Sequence, residues 1–229
     1  MQKEDTRQRI LRKALELFSA RGYDAVSVGE LAKAAGIKAP SLYNHFPGKQ
    51  AIFDALVEAT AAHYEEDTGK IDIHVQNPVQ DVPVFTEITA DFLYEKVRQI
   101  FEYSLHDETV SRFRCMMTLE KFRSPELAAL YSKRYVERIL SYHARIFRAL
   151  IASGEIRAED PDALAMMYVS PVLTLIGICD RQPEREAECL EKLRQHVSLF
   201  FRMVHSGVSD AGRETIHENT NQPDAKTQC

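Results

Sequence analysis

Nearly every readable segment of this chain carries apolar side chains at the three-and-four spacing of an amphipathic helix. The pattern predicts a first helix over 6–21, with Ile10, Ala14, Leu17 and Phe18 on one face. Thr6 is its expected N-cap, and Gly22 stops it, since glycine accepts the backbone that a helix end often needs. A second, short helix follows Ser27 and ends at Gly36. A third opens near Ala39, where Pro40 suits a first turn that needs no N–H. A fourth starts at 47–49 and runs through Ile52, Leu56 and Ala59 into the sixties. The pattern breaks over 69–85, which holds Pro78 and Pro83. A short strand over 71–75 would have no partner, so this stretch reads as a linking loop. Helices resume over 86–105, 108–122, 125–153, 161–179 and 184–205, with Ser124 as N-cap and Glu126 in the first turn of the longest. From Gly207 the chain is polar with no apolar stripe, and disorder is expected.

The fold class predicted is all-α. A three-helix head occupies 4–64, with a helix-turn-helix motif at 27–46. A helical body occupies 65–206, and a polar tail 207–229. The 229 residues suffice for one domain or two small ones.

Composition changes this picture little, and charge changes it more. With 45% hydrophobic and 28% charged residues the chain matches ordinary soluble proteins. No apolar run is expected to span a bilayer, and the polar start MQKEDTRQR lacks a signal peptide's apolar core. A cytoplasmic location without membrane contact is the expectation. Cys115, Cys179, Cys189 and Cys229 are scattered, and no Cys or His pair has metal-ligand spacing, so neither a disulfide framework nor a metal or cofactor is expected. The net charge of −5 hides an asymmetry: residues 1–50 carry nine Lys and Arg against five Asp and Glu, net +4, leaving −9 for the remainder. A basic head on an acidic body suits phosphate binding at one end.

Residues 27–46 read SVGELAKAAGIKAPSLYNHF. Val28, Leu31, Ala32 and Ala35 would hold the first helix of the pair to a core, and Ile37, Leu42 and Phe46 would anchor the second. Lys38, Ala39, Ser41, Tyr43, Asn44 and His45 then point outward, a set of small and hydrogen-bonding side chains suited to base edges and backbone oxygens.

This stretch resembles the TetR family of one-component bacterial regulators. The resemblance rests on Leu17-Phe18 with Gly22-Tyr23, on Ala35-Gly36-Ile37, and on Leu42-Tyr43-Asn44-His45-Phe46 followed by Lys49, in order over about residues 6–60. It implies a dimeric transcriptional regulator, more often a repressor than an activator, released from a palindromic double-stranded DNA operator by a small-molecule effector. It implies that Lys38, Ala39, Pro40, Ser41 and Asn44 lie nearest the bases, and that Ser27, Tyr43, His45 and Lys49 contact phosphates. Gly29 departs from members with a long polar residue there. Lys33 and Arg12 read as solvated face.

Aromatic and methionine residues crowd the body, and most such residues form plain core. The resemblance adds an effector cavity between the middle helices. Tyr135, Tyr142 and His143 are candidate polar handles, with Met117 and Phe122 as walls. On the last helix Leu190, Leu193, Val197, Phe200, Phe201 and Val204 form a wide apolar stripe. It serves either a four-helix dimer contact with the helix before it or the subunit's own core. The dimer is preferred because the preceding helix is apolar round most of its circumference.

An enzyme is the main rival class. No nucleophile elbow, glycine-rich phosphate loop, zinc-binding histidine pair or adjacent Ser–His constellation appears, and Glu137 with His143 is a pairing any helical protein offers. The other alternative is a helical small-molecule-binding protein without DNA binding, which the intact basic head opposes.

Overall fold

The computed structural model describes residues 5–74, 76–86, 88–122 and 125–205, and among these it contains helices and turns but no strand. The head comprises α1 (Thr6–Arg21), α2 (Val28–Ala34), α3 (Ala39–Tyr43) and the start of α4 (Lys49–Gly69). The body adds α5 (Pro78–Asp81), α6 (Ala90–His106), α7 (Glu108–Glu120), α8 (Pro125–Ser132), α9 (Arg138–Ser153), α10 (Pro161–Arg181) and α11 (Glu186–His205).

Several local expectations shift by a turn. Asp5 caps α1, its carboxylate accepting the Arg7 N–H at 3.3 Å, and Thr6 lies inside the helix. In the stretch 71–75, read as loop because a strand there would lack a partner, the described residues turn back onto α4, with the Ile73 N–H on the Thr68 carbonyl at 3.0 Å and Asp72 at φ 59°. The last residue of the stretch, Val75, lies outside the described residues, as do Ser124 and the tail 207–229. The loop beyond holds α5 and a 3₁₀ turn, Val82–Phe85. α6 begins only at Ala90, because Thr89 is extended and caps it by accepting the Phe92 N–H. The predicted long helix over 125–153 is α8 and α9 joined by a π-helical segment, Lys133–Glu137. That wider turn admits an extra residue. There the Arg134 guanidinium lies 5.1 Å from the Phe113 ring and donates to the Val57 carbonyl of α4.

Two apolar cores result. The head core gathers Ile10, Phe18, Leu31, Leu42, Phe46, Ile52 and Phe53, and is completed by Phe113, Met116 and Met117 of α7. The body core is built from α6, α9, α10 and α11. α10 corrects the expectation that no run is long and apolar enough to cross a bilayer: its mean hydropathy reaches 1.7 over an 18-residue window. Its packing against α6, α9 and α11 gives that apolarity a use inside the core.

The two cores are joined by polar contacts. Glu120, buried at the end of α7, accepts the Tyr23 N–H at 2.9 Å. Arg114 of α7 forks onto Asp180 of α10 at 2.8 and 2.6 Å and also donates to the Ser104 carbonyl.

Candidate nucleic-acid interface and body cavity

The α2–α3 corner is fixed by its own backbone. Gly36 takes φ 67°, its N–H bonds the Lys33 carbonyl, and the Ile37 N–H reaches the Ala32 carbonyl at 3.0 Å. This paired closure needs a left-handed residue, which glycine supplies without a Cβ penalty. α3 is therefore held at a set angle, and buried Leu42 and Phe46 anchor it from beneath. Arg9 ties the corner to α1 by donating to the Ala35 carbonyl at 2.9 Å, and the Arg7 guanidinium lies 4.8 Å from the Phe46 ring.

The opposite face of α3 is open. Lys38, Pro40, Ser41, Tyr43, Asn44 and His45 are all exposed, and Ala39 is half-exposed. Pro40 sits in the first turn and Asn44 is the C-cap residue, so the exposed set spans one short helix and its two ends. Phenol, amide, imidazole, hydroxyl and ammonium groups stand on a rigid ledge, with Ala39 small enough for close approach.

The other expected phosphate contacts, Ser27 and Lys49, have partners within the head. The Ser27 hydroxyl accepts the Glu30 N–H at 3.2 Å and donates to the Glu30 carboxylate at 2.8 Å, closing a capping box. The Ser27 N–H and then Arg21 hold Glu30 down to about 2, so this helix end already carries an anion. The Lys49 ammonium donates to the Tyr23 carbonyl at 2.9 Å and sits 4.3 Å above the Tyr23 ring. The contact joins α4 to the end of α1. Lys38, on the exposed ledge, is the better-placed cation.

In the body, one small apolar cavity of about 30 Å³ is lined by Phe85, Ile88, Leu93, His143, Phe147, Tyr168 and Phe200, among others. Of the five residues expected to form an effector pocket, His143 alone borders it. Met117 is fully buried in the head core, since α7 turns that face toward α1. Tyr135 packs on the same core beside Tyr131. Phe122, beyond the end of α7, is 87% exposed. Tyr142 is buried, but its hydroxyl is committed to the Asp81 carboxylate at 2.6 Å. It borders instead a separate open cleft of about 400 Å³ with Arg138, Ser141 and Arg145. The missed cavity residues Ile146, Phe147 and Leu150 were legible as a helical stripe with His143, at offsets of three, four and seven.

His143 donates from Nδ1 to the Ile139 carbonyl at 2.9 Å, which leaves Nε2 as an acceptor. Burial lowers its pKa from 6.5 to about 4, so the ring is neutral at ordinary pH.

The stripe expected to form a dimer contact closes the subunit's own core instead. Leu193, Val197, Phe200 and Val204 are buried there, and Leu190 and Phe201 pack against it. On α10 and α11 the exposed large apolar residues are others: Met166 and Met167, Leu199 and Met203. Between these two helices Tyr168 meets Phe200 at 4.9 Å.

Comparison with known proteins matches both halves. Residues 10–56 match the model of bacterial regulatory proteins of the tetR family, and residues 91–202 match that of the AefR-like transcriptional repressor C-terminal domain. The HTH-type transcriptional regulator AcrR of Shigella flexneri is 35% identical over 98 residues, which cover 42% of this chain and only 44% of AcrR. The probable HTH-type transcriptional regulator YttP of Bacillus subtilis is 22% identical over 88% of this chain and 89% of its own. A TetR-family transcriptional regulator structure from Mesorhizobium loti superposes with a TM-score of 0.64 at 20% identity, over 87% of this chain and 96% of that one.

Proposed function

Because the chain belongs to the TetR family of DNA-binding transcriptional regulators, we propose that it is a homodimeric, cytoplasmic repressor of a palindromic operator, released by a small, largely apolar effector. The observation that carries DNA reading is the ledge of α3, with buried Leu42 and Phe46 beneath and exposed Lys38, Ser41, Tyr43, Asn44 and His45 above. A pair of such ledges reads half-sites about one helical turn, roughly 34–36 Å, apart. The repressor match over 91–202 supports the sign of regulation. The exposed apolar residues Met166, Met167, Leu199 and Met203 of α10 and α11 are the ones best suited to meet a second copy.

The body cavity supports an effector site of definite character. Its walls are almost wholly apolar, and His143, with Nε2 left as an acceptor, is one wall residue able to take a hydrogen bond from a ligand. At about 30 Å³ it is far smaller than the ~300 Å³ of typical ligand pockets. Filling it must displace side chains, and that displacement is how a ligand would prefer a conformation unfit for DNA.

Selection of bound fragments from genomic DNA, followed by titration at several salt concentrations, tests this reading. Lys38→Ala should weaken binding to all sequences and lower the salt slope by up to about one unit. Asn44→Ala and Ser41→Ala should change the preferred base, at about 1–3 kcal/mol per good contact. A native protein that selects no sequence is no operator-binding repressor, and a ligand-binding protein without DNA function would then be the better description.

A further inference from the structure

Where the last turns of α4 meet the α6–α7 corner, three metal-ligating side chains converge that no sequence spacing announces. His63 and Asp67 stand one turn apart on α4, and Asp107 is the residue between α6 and α7. His63 Nε2 lies 2.9 Å from Asp107 Oδ2 and 3.5 Å from Asp67 Oδ2, and the three donor atoms all fall within 4.8 Å of one another. All three residues are half-buried.

Each carboxylate is held by its other contacts so that Oδ2 faces the imidazole. Asp107 Oδ1 caps α7, accepting the Val110 N–H at 2.8 Å. Asp67 Oδ1 takes the Lys70 ammonium, and its Oδ2 also takes the Tyr103 hydroxyl at 3.3 Å. Partners of this kind orient metal ligands. A single Nε2–H can point at only one of the two oxygens, here the nearer Asp107 Oδ2, and leaves Asp67 Oδ2 to the longer Tyr103 contact. A divalent ion accepts all three atoms together. Donors of a tetrahedral zinc at ~2.1 Å lie about 3.4 Å apart, near both His63 distances, and the third pair lies within 4.8 Å. One imidazole with two carboxylates suits zinc and its divalent neighbours better than calcium or magnesium, which favour all-oxygen sites.

We propose that His63, Asp67 and Asp107 form a binding site for a divalent transition-metal ion of the zinc type, pinning the end of α4 to the α6–α7 corner. Water completes the coordination, as the partial exposure of the site allows, and Lys70 is the cation it must displace or outlive on Asp67. The proposal concerns metal binding and stands whether or not the chain represses transcription.

Calorimetric titration of the full-length protein with ZnCl₂, under a non-chelating reductant that keeps the cysteines reduced, tests it. One equivalent should bind saturably, and His63→Ala and Asp107→Asn should each weaken binding about tenfold or more, the usual scale for disturbed metal sites. Asparagine still caps a helix, so Asp107→Asn should keep the native circular dichroism spectrum. Should either variant fail to fold, bound Co²⁺ in the wild type supplies the second measurement, through a visible spectrum of a nitrogen- and oxygen-ligated ion without a thiolate charge-transfer band. Absence of saturable binding overturns the proposal. So does equal binding by wild type and variants, or a thiolate band, since the metal then sits on other groups.

Discussion

His143 allows the body's interior to be interrogated by pH alone. Its ring meets Tyr142 edge-on with centroids 4.9 Å apart, lies 5.1 Å from Tyr168, and lines the apolar cavity. Burial lowers the pKa from 6.5 to about 4, opposed only in part by the bond to Ile139. The unfolded chain takes up its proton near 6.5, whereas the folded chain resists until about 4. Between those values the unfolded state binds more protons, so stability is full above about 6.5 and falls as pH drops toward 4. Below pH 4 the loss approaches about 3 kcal/mol, and at pH 5 about 2 kcal/mol is already lost.

His143→Leu removes the titration and keeps an apolar wall, while the Ile139 carbonyl remains in the helix ladder. Urea unfolding of wild type and variant at pH 7.5 and pH 5, at one protein concentration, isolates the effect because the other histidines cancel. The variant should gain about 2 kcal/mol on wild type between the two conditions. Identical pH dependence would refute a His143 held neutral by the fold. A larger loss in the variant would mean that the protonated ring is stabilised in the fold.

Two further outcomes follow from burial. Leu199→Asp and Met167→Glu, at residues 52% and 46% exposed, should shift the mass seen by light scattering toward monomer with helicity intact, whereas Val197→Asp, fully buried, should lower the unfolding temperature itself. An unshifted dimer in both surface variants would remove these residues as the contact. Gly29→Ala should stabilise the head by up to about 1 kcal/mol, because the added Cβ meets nothing nearer than the Ser27 hydroxyl at 3.9 Å. A thermal scan showing loss instead of gain would contradict that reading.

The head was legible in the sequence because its signals are local. The Gly36 turn, the alternation of buried Leu42 and Phe46 with exposed neighbours, and Gly22 as a stop each act within a few residues. The roles of Ser27 and Lys49 were not legible in the same way. A serine at a helix start is equally ready for phosphate or for its own Glu30, and only folding brings the Tyr23 carbonyl to Lys49 from 26 residues away. In the body, periodicity gave the helices but not their partners. The stripe through Val197 and Phe200 is apolar for either purpose, and only the approach of α6 and α10 decides that it faces inward. Met117 was assigned to the body for its place in the chain. α7 puts its apolar residues into the head core and reaches the body through Arg114 and Asp180, and no local pattern announces such a shared helix.

That shared helix gives the regulatory reading its physical requirement. The head is not free to pivot on α4 alone, because Phe113, Met116 and Met117 of α7 fill its core and Glu120 holds the Tyr23 N–H. A head that moves must carry α7 with it or break those contacts. α7 in turn is forked to α10 through Arg114 and Asp180, and α10 presents Tyr168 to the cavity. A ligand that spreads the cavity walls therefore acts on a helix connected, through one ion pair and one helix, to the core beneath the DNA-reading ledge. Spatial continuity of this kind is a route and not yet a coupling energy. It becomes one only if effector and operator each weaken the other's binding by the same factor, as linkage demands. On this route, severing Arg114 from Asp180 should reduce that shared factor while leaving the ledge of α3, and its sequence preference, unchanged.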